Sequence, residues 1–215
     1  MRLKKTLLKN GLLYVILDNQ IIEENNLDIF DLAEKLSRYG TDIFQFRFKK
    51  ITDKKALTTA GKLSKMIRKA KKRFIVNDRA DIAYLTKADG VHLGKDDISP
   101  KQARKILGRD KIVGKTVHSL EEFQKFKGEP VNYLSLGPVF KTKLKPELPC
   151  WELTELKNFF SKRNFLFAIG GIKLDNIGLL LKENIRNVVV CRELILSGNL
   201  KKTTEGFKQC LAKNS

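Results

Sequence analysis

Cysteine is scarce in this sequence and badly placed for stapling a fold. Cys150, Cys191 and Cys210 are odd in number and no C-x-x-C pair occurs. That excludes a disulfide framework and the common zinc and redox motifs, and a reducing cytoplasm is the expected home. Histidine is as rare: only His92 and His118 are present, and nothing aligns a nucleophile, a histidine and a carboxylate. Each histidine reads first as a hydrogen-bonded core or loop residue, with general acid–base work as the alternative. The five prolines are scattered and no low-complexity tract occurs, so the expectation is one domain over residues 1–215. No apolar run reaches the ~18 residues of a membrane span. Residues 1–17 run basic and then apolar, but Lys9, Asn10 and Gly11 interrupt them and no small-residue cleavage site follows, so a secretory signal is not expected.

Acidic residues are in short supply as well. Asp and Glu number 24 against 43 Lys and Arg, a net charge of +19 over 215 residues. Such a balance draws in anions, whether nucleic acid, anionic lipid or phosphorylated metabolites, or else is a lysine coat that keeps the protein soluble. With 42% hydrophobic and 31% charged residues, the chain is not mostly disordered.

What is present is a repeated event: a short apolar, β-rich run, then an amphipathic stretch. The runs are 12–17, 43–48, 74–76, 90–93, 111–114, 133–136, 165–169 and 187–190. Helical spacing of apolar residues falls in 29–39, 54–71, 100–107, 120–126, 152–160 and 175–181. Ser99-Pro100 reads as a helix start, and Ser119-Leu120-Glu121-Glu122 as a capping box. Strands alternating with helices imply a parallel sheet. Near-continuous apolar strands imply that it is covered on the outside. Eight units predict an α/β fold, a closed (β/α)8 TIM barrel; an open doubly wound sheet is the competing reading.

In such a barrel the chemistry sits at the C-terminal ends of the strands, and the polar residues there form a coherent set. Gln45, Arg47 and Lys49 alternate with Phe44, Phe46 and Phe48, so they share one face of a strand. An Arg and a Lys inside a barrel are costly unless an anion meets them. Asp78 after the third run and Asp96 or Asp97 after the fourth would bring two carboxylates to neighbouring loops, the pair that Mg2+ takes together with substrate phosphate oxygens. Gly170-Gly171 follows the seventh run, where glycine lets backbone N–H groups approach a phosphate. Arg192 follows the eighth and could add a bidentate contact. The basic stretch 137–145 reads as a loop able to cover the barrel mouth.

Five motifs in order carry a resemblance: Gln45-x-Arg47-x-Lys49, Asn77-Asp78-Arg79, Ala88-Asp89-Gly90-Val91-His92-Leu93-Gly94, Gly137-Pro138-Val139-Phe140-x-Thr142 and Ile169-Gly170-Gly171-Ile172. The chain resembles the thiamine-phosphate synthase family, also called thiamine-phosphate pyrophosphorylase, which includes a thiazole tautomerase branch. The resemblance implies a transferase that joins hydroxymethylpyrimidine diphosphate to a thiazole phosphate. Pyrophosphate leaves first, and the thiazole nitrogen captures the pyrimidine cation. It further implies Mg2+ on Asp78 and Asp97. Gln45, Arg47, Lys49, Asn77, Thr116 and Lys145 would face the pyrimidine diphosphate, with Arg47, Lys49, Thr116 and Lys145 in catalytic roles. Thr142, Gly171 and Arg192 would face the thiazole phosphate. Thr116 stands where the family usually has Ser. Further departures are Phe48 for Glu, Lys95-Asp96 for Gln-Glu, Leu144 for a hydroxyl residue and Arg192 for Ser. They leave the diphosphate half nearly intact and alter the thiazole half. The tautomerase branch often has His at the position of Pro138 and commonly lacks the aspartates, so both features favour the synthase. The alternatives are a diverged paralogue, tautomerase-like or with another phosphorylated substrate, and a non-catalytic nucleic-acid binder. No helix-turn-helix, zinc-finger or aromatic-stacking signature supports the last. The expected partners are small phosphorylated substrates, with no membrane; self-association is left open.

Overall fold

Leu13 to Leu17 is a run of branched and aromatic residues that can neither alternate with solvent nor turn. In the computed structural model, which describes residues 11–126, 128–142, 148–160 and 166–212, it forms β1 (Leu13–Asp18), buried on both faces. Seven similar strands follow: β2 (Ile43–Arg47), β3 (Arg73–Asn77), β4 (Gly90–Leu93), β5 (Ile112–Val117), β6 (Tyr133–Leu136), β7 (Leu166–Ile169) and β8 (Val188–Val190). All pair in parallel with their neighbours in sequence order, and β8 returns to β1 with Leu13 opposite Val188, closing the barrel. The expected (β/α)8 barrel is the one observed, and the open doubly wound sheet is excluded by that last pairing.

The helices are α1 (Asn19–Glu24), α2 (Ile29–Arg38), α3 (Asp53–Lys69), α4 (Ala80–Leu85), α5 (Pro100–Leu107), α6 (Leu120–Lys125), α7 (Leu153–Phe160), α8 (Ile177–Lys182), α9 (Arg192–Ile195) and α10 (Leu200–Ala212). α3 buries Ala56, Ala60, Leu63 and Ile67, a stripe of three- and four-residue steps whose small members let the helix lie close to the sheet. The capping box expected at Ser119 is only half made. Ser119 accepts the Glu122 N–H, but the Glu122 carboxylate reaches back to the N–H of His118 instead. The reciprocal box is at the start of α5, between Ser99 and Gln102.

Two apolar layers result. Leu13, Val15, Phe44, Phe46, Phe74 and Val76 face outward onto the helices. Their alternates Tyr14, Ile43, Ile75, Tyr133, Phe167 and Val189 form a separate cluster without any helical member, which fills the bore. The rings of Tyr14, Tyr133 and Phe167 meet edge to face at 5.2–6.0 Å. Gly114 makes room for this plug: a Cβ there would lie 2.1 Å from Tyr133 Cζ. Among the described residues no helix is long and apolar enough to cross a membrane.

Candidate active site

One step further along each strand the interior alternation turns polar: Ile43 gives way to Gln45, Ile75 to Asn77, Gly90 to His92, Gly114 to Thr116 and Tyr133 to Ser135. This polar layer lies on the aromatic plug and forms the floor of the mouth. Two of its atoms, Gln45 Nε2 and Ser135 Oγ, are buried and have no hydrogen-bond partner among the described residues. Buried polar atoms are rarely left so, and at the floor of an open mouth they mark where a polar ligand completes the set. Ser135 went unnoticed within an apolar run, although the two-residue step from Tyr133 to Ser135 to Gly137 places all three on one face.

Arg47 and Lys49 do not wait for an anion; each already has one. Arg47 Nη1 donates to Asp18 Oδ2 at 2.5 Å, with the Asp18 side chain 2% exposed and that of Arg47 35% exposed. The other Asp18 oxygen caps α1, accepting from the N–H groups of Gln20 and Ile21. Lys49 Nζ donates to Asp78 Oδ2 at 2.8 Å. The anions that meet these cations in the structure are internal carboxylates, which hold them at the mouth.

Asp78 leaves β3 with φ +64, a left-handed turn that Asp tolerates better than most residues. Its N–H donates to the His92 carbonyl at 2.7 Å. Asp97 accepts from the Gly94 N–H at 2.5 Å. Burial, and then the neighbouring Asp78 carboxyl, push the Asp97 carboxyl up to about 6. The helix N-cap after this loop is Ser99 rather than either aspartate, so Asp97 is released for another purpose. Two crowded carboxylates form a donor set suited to a hard divalent cation. The described residues contain no group of three or more His, Cys, Asp or Glu side chains placed to hold a metal, so such an ion would take its remaining ligands from substrate and water. Beside the pair the buried Lys115 ammonium donates to the Gly94 carbonyl and lies over the Phe126 ring, and burial lowers its pKa.

Across the mouth lies a cavity of about 670 Å³ lined by Ile16, Thr142, Gly171, Cys191, Arg192 and Ser197, among others. The loop after β6 docks on the glycine turn, with Val139 N–H on the Ile169 carbonyl at 2.9 Å and Phe140 N–H on that of Gly170 at 3.1 Å. Gly171 has φ +64, and a Cβ there would come within 2.5 Å of the Lys141 carbonyl, so only glycine allows this approach. Arg192, expected as a strand-end residue, opens α9. Burial pushes the Cys191 thiol up to about 12, which keeps it protonated and unreactive. Lys145 and Leu144 lie outside the described residues.

Both histidines are hydrogen-bonded, as the first reading had it. His118 Nδ1 meets the Gly137 carbonyl at 2.7 Å. His92 bridges the floor, with Nδ1 2.8 Å from Tyr133 Oη and Nε2 2.6 Å from Thr116 Oγ1. The structure thus brings Gln45, Arg47, Lys49, Asn77, Asp78, Asp97 and Thr116 to one side of a single mouth, and Thr142, Gly171 and Arg192 to the other.

Residues 13–194 match the family model described as thiamine monophosphate synthase. The chain is 38% identical over 200 residues to the thiamine-phosphate synthase of Persephonella marina, covering 93% of this chain and 95% of that one. It is 40% identical over 161 residues to a Prochlorococcus marinus thiamine-phosphate synthase, where the match spans 73% of this chain but 45% of the longer relative. Among solved structures it is similar to a thiamine phosphate pyrophosphorylase from Pyrococcus furiosus, with a TM-score of 0.83, 26% identity and 97% of each chain covered.

Proposed function

Because the chain belongs to the thiamine monophosphate synthase family and is a transferase of the thiamine-phosphate synthase kind, we propose that its two half-sites divide the two substrates between them. Hydroxymethylpyrimidine diphosphate takes the side of Gln45, Asn77 and Thr116, with its diphosphate against Arg47, Lys49 and Lys145. The thiazole phosphate takes the cavity of Thr142, Gly171 and Arg192. The observation that carries this division is the pairing of a cationic, two-carboxylate cluster with a glycine-turn cavity across one floor of unpaired polar atoms.

The reaction breaks the bond between the pyrimidine methylene carbon and the diphosphate oxygen, and the electron pair leaves with the diphosphate. The thiazole nitrogen then donates its lone pair to that carbon. No covalent nucleophile is needed, in keeping with the protonated Cys191. Asp78 and Asp97 would hold Mg2+, which when bound spreads the charge that develops on the departing diphosphate. Arg47 and Lys49 serve the same end from fixed positions, because Asp18 and Asp78 hold them before substrate arrives. The docked loop at residues 138–142 closes the thiazole side and limits water that would quench the cation. We read the chain as one domain acting on small phosphorylated substrates in the cytoplasm, with its three free cysteines suited to that compartment.

Purified protein, both precursors and Mg2+ form the test. Thiamine phosphate and pyrophosphate appearing in equal amounts, and vanishing with EDTA, is the expected result. Product formation that is indifferent to EDTA would remove Mg2+ from Asp78 and Asp97.

A further inference from the structure

The bore holds a line of hydrogen bonds that the reaction above leaves unused. Tyr14 Oη lies 2.9 Å from Tyr133 Oη, Tyr133 Oη 2.8 Å from His92 Nδ1, and His92 Nε2 2.6 Å from Thr116 Oγ1. Tyr14 and Tyr133 are each 1% exposed. Burial raises the pKa of both phenols, so each keeps its single proton. A neutral imidazole also carries one N–H. The line can therefore run in two directions; a third arrangement, in which Tyr133 Oη accepts from both Tyr14 and His92, strands the buried Tyr133 O–H.

If the protons point away from the mouth, Thr116 donates to His92, His92 donates through Nδ1 to Tyr133, and Tyr133 donates to Tyr14. The Tyr14 O–H then has no acceptor among the described residues, since Tyr133 is its one hydrogen-bond partner there. A buried donor without an acceptor is the arrangement proteins avoid. If the protons point toward the mouth, Tyr14 donates to Tyr133, Tyr133 donates to His92 Nδ1, and His92 Nε2–H donates to Thr116 Oγ1. Tyr14, Tyr133 and His92 then each have their donor satisfied, and the Thr116 O–H is left over at the floor of the mouth.

We infer that the Tyr14–Tyr133–His92 line is a built orienting device that fixes His92 as its Nε2–H tautomer and holds Thr116 as a hydrogen-bond donor to substrate. Tyr14, Tyr133 and His92 are positioning residues; Thr116 makes the contact. The ligand atom at Thr116 is accordingly an acceptor, such as a diphosphate oxygen or ring nitrogen, and not an amino group. That last step rests on Thr116 facing the pyrimidine diphosphate, as proposed above. The device is tightly seated: the His92 ring stacks on Tyr133 at 5.5 Å with 23° between planes, and Gly114 yields the space the Tyr133 ring occupies.

The two histidines make the test compact. His118 Nδ1 meets a carbonyl, so His118 must be the Nδ1–H tautomer, opposite to the one assigned to His92. Nitrogen NMR of 15N-histidine-labelled protein, without substrate, should show one imidazole of each kind, with a His118→Gln variant identifying which is which. A His92 signal of the Nδ1–H form would overturn the inference, whatever the enzyme's activity. Two variants then separate orientation from simple loss of a core contact. Tyr133→Phe keeps the ring but removes the donor to Nδ1. It should reduce the Nε2–H fraction and lower kcat about tenfold, the order of one hydrogen bond, with the KM for thiazole phosphate unmoved. Tyr14→Phe leaves Tyr133 free to donate, so the tautomer should persist and the loss of kcat should be the smaller. Equal losses from the two variants with the tautomer intact would show a structural contact only. If Tyr133→Phe fails to fold, the tautomer in the unaltered protein still decides. Diphosphate and ring nitrogen are told apart by pyrophosphate inhibition, which Tyr133→Phe weakens only if the acceptor is a diphosphate oxygen.

Discussion

Replacing Asp18 by alanine removes two interactions that share one buried carboxylate. One oxygen caps α1 through two backbone N–H groups at 3.1 and 3.2 Å, and losing such a cap costs about 1 kcal/mol. The other oxygen holds Arg47. Breaking a fully buried pair costs ~3–5 kcal/mol, but the Arg47 side chain is 35% exposed and water can take over part of its solvation, so about 1–2 kcal/mol is the appropriate share. The expected loss for Asp18→Ala is therefore about 2–3 kcal/mol, or on the order of 4–12 °C in melting temperature for a chain of this size. Asp18→Asn keeps an oxygen for the cap and loses the charge, so its loss should be about half as large. Urea unfolding of both variants at a common slope measures this, and the KM for the pyrimidine diphosphate should rise in both as Arg47 is released. A loss below ~0.5 kcal/mol for Asp18→Ala, the range of ordinary surface substitutions, would refute the reasoning.

Asp78→Asn keeps a residue that tolerates the left-handed φ at this position and should lower Mg2+-dependent turnover at least 100-fold with little change in melting temperature; turnover near that of the unaltered enzyme would remove Asp78 as a ligand. Without metal, the Asp97 carboxyl titrates at about 6, above its unfolded value, so the folded state holds that proton more tightly. Its ionisation should erode stability as pH rises from about 4 to 6, and Asp97→Asn should flatten that slope in a pH series of thermal melts. Arg192→Ser should raise the KM for thiazole phosphate about tenfold, the scale of one charge-assisted contact, and alter that for the diphosphate substrate less; the reverse pattern would move Arg192 to the other half-site. Gly114→Ala places a methyl group 2.1 Å from the Tyr133 ring and should destabilise the fold by ~3 kcal/mol or more through overpacking, measured by urea unfolding.

Most strands were legible because they are buried on both faces and read as short apolar runs, and β4 and β6 fall at the expected residues. α1, α4 and α9 are only four to six residues long and start within three residues of a strand end, where the apolar run masks them; the equally short α6 was marked by the Ser119 cap. α10 is longer, but Thr204 and Gly206 break up the apolar stripe of Phe207 and Leu211. Period-two spacing correctly put Gln45 and Arg47 on one face, yet pattern alone does not tell which acid meets which base across 29 residues. The partners Asp18 for Arg47 and Asp78 for Lys49 thus became visible only with the strands side by side. The relay beneath Thr116 draws one residue from each of three strands and leaves no signature along the chain.

The ring plug of Tyr14, Tyr133 and Phe167 turns the barrel into a vessel with a single opening. Nothing can pass through to the far end, so two reactants and two products must share one doorway. Whatever rests against Gln45 and Ser135 enters and leaves by the mouth alone. A sealed base therefore makes every arrival and departure use the same face, and that constraint is set by packing at a point no substrate touches.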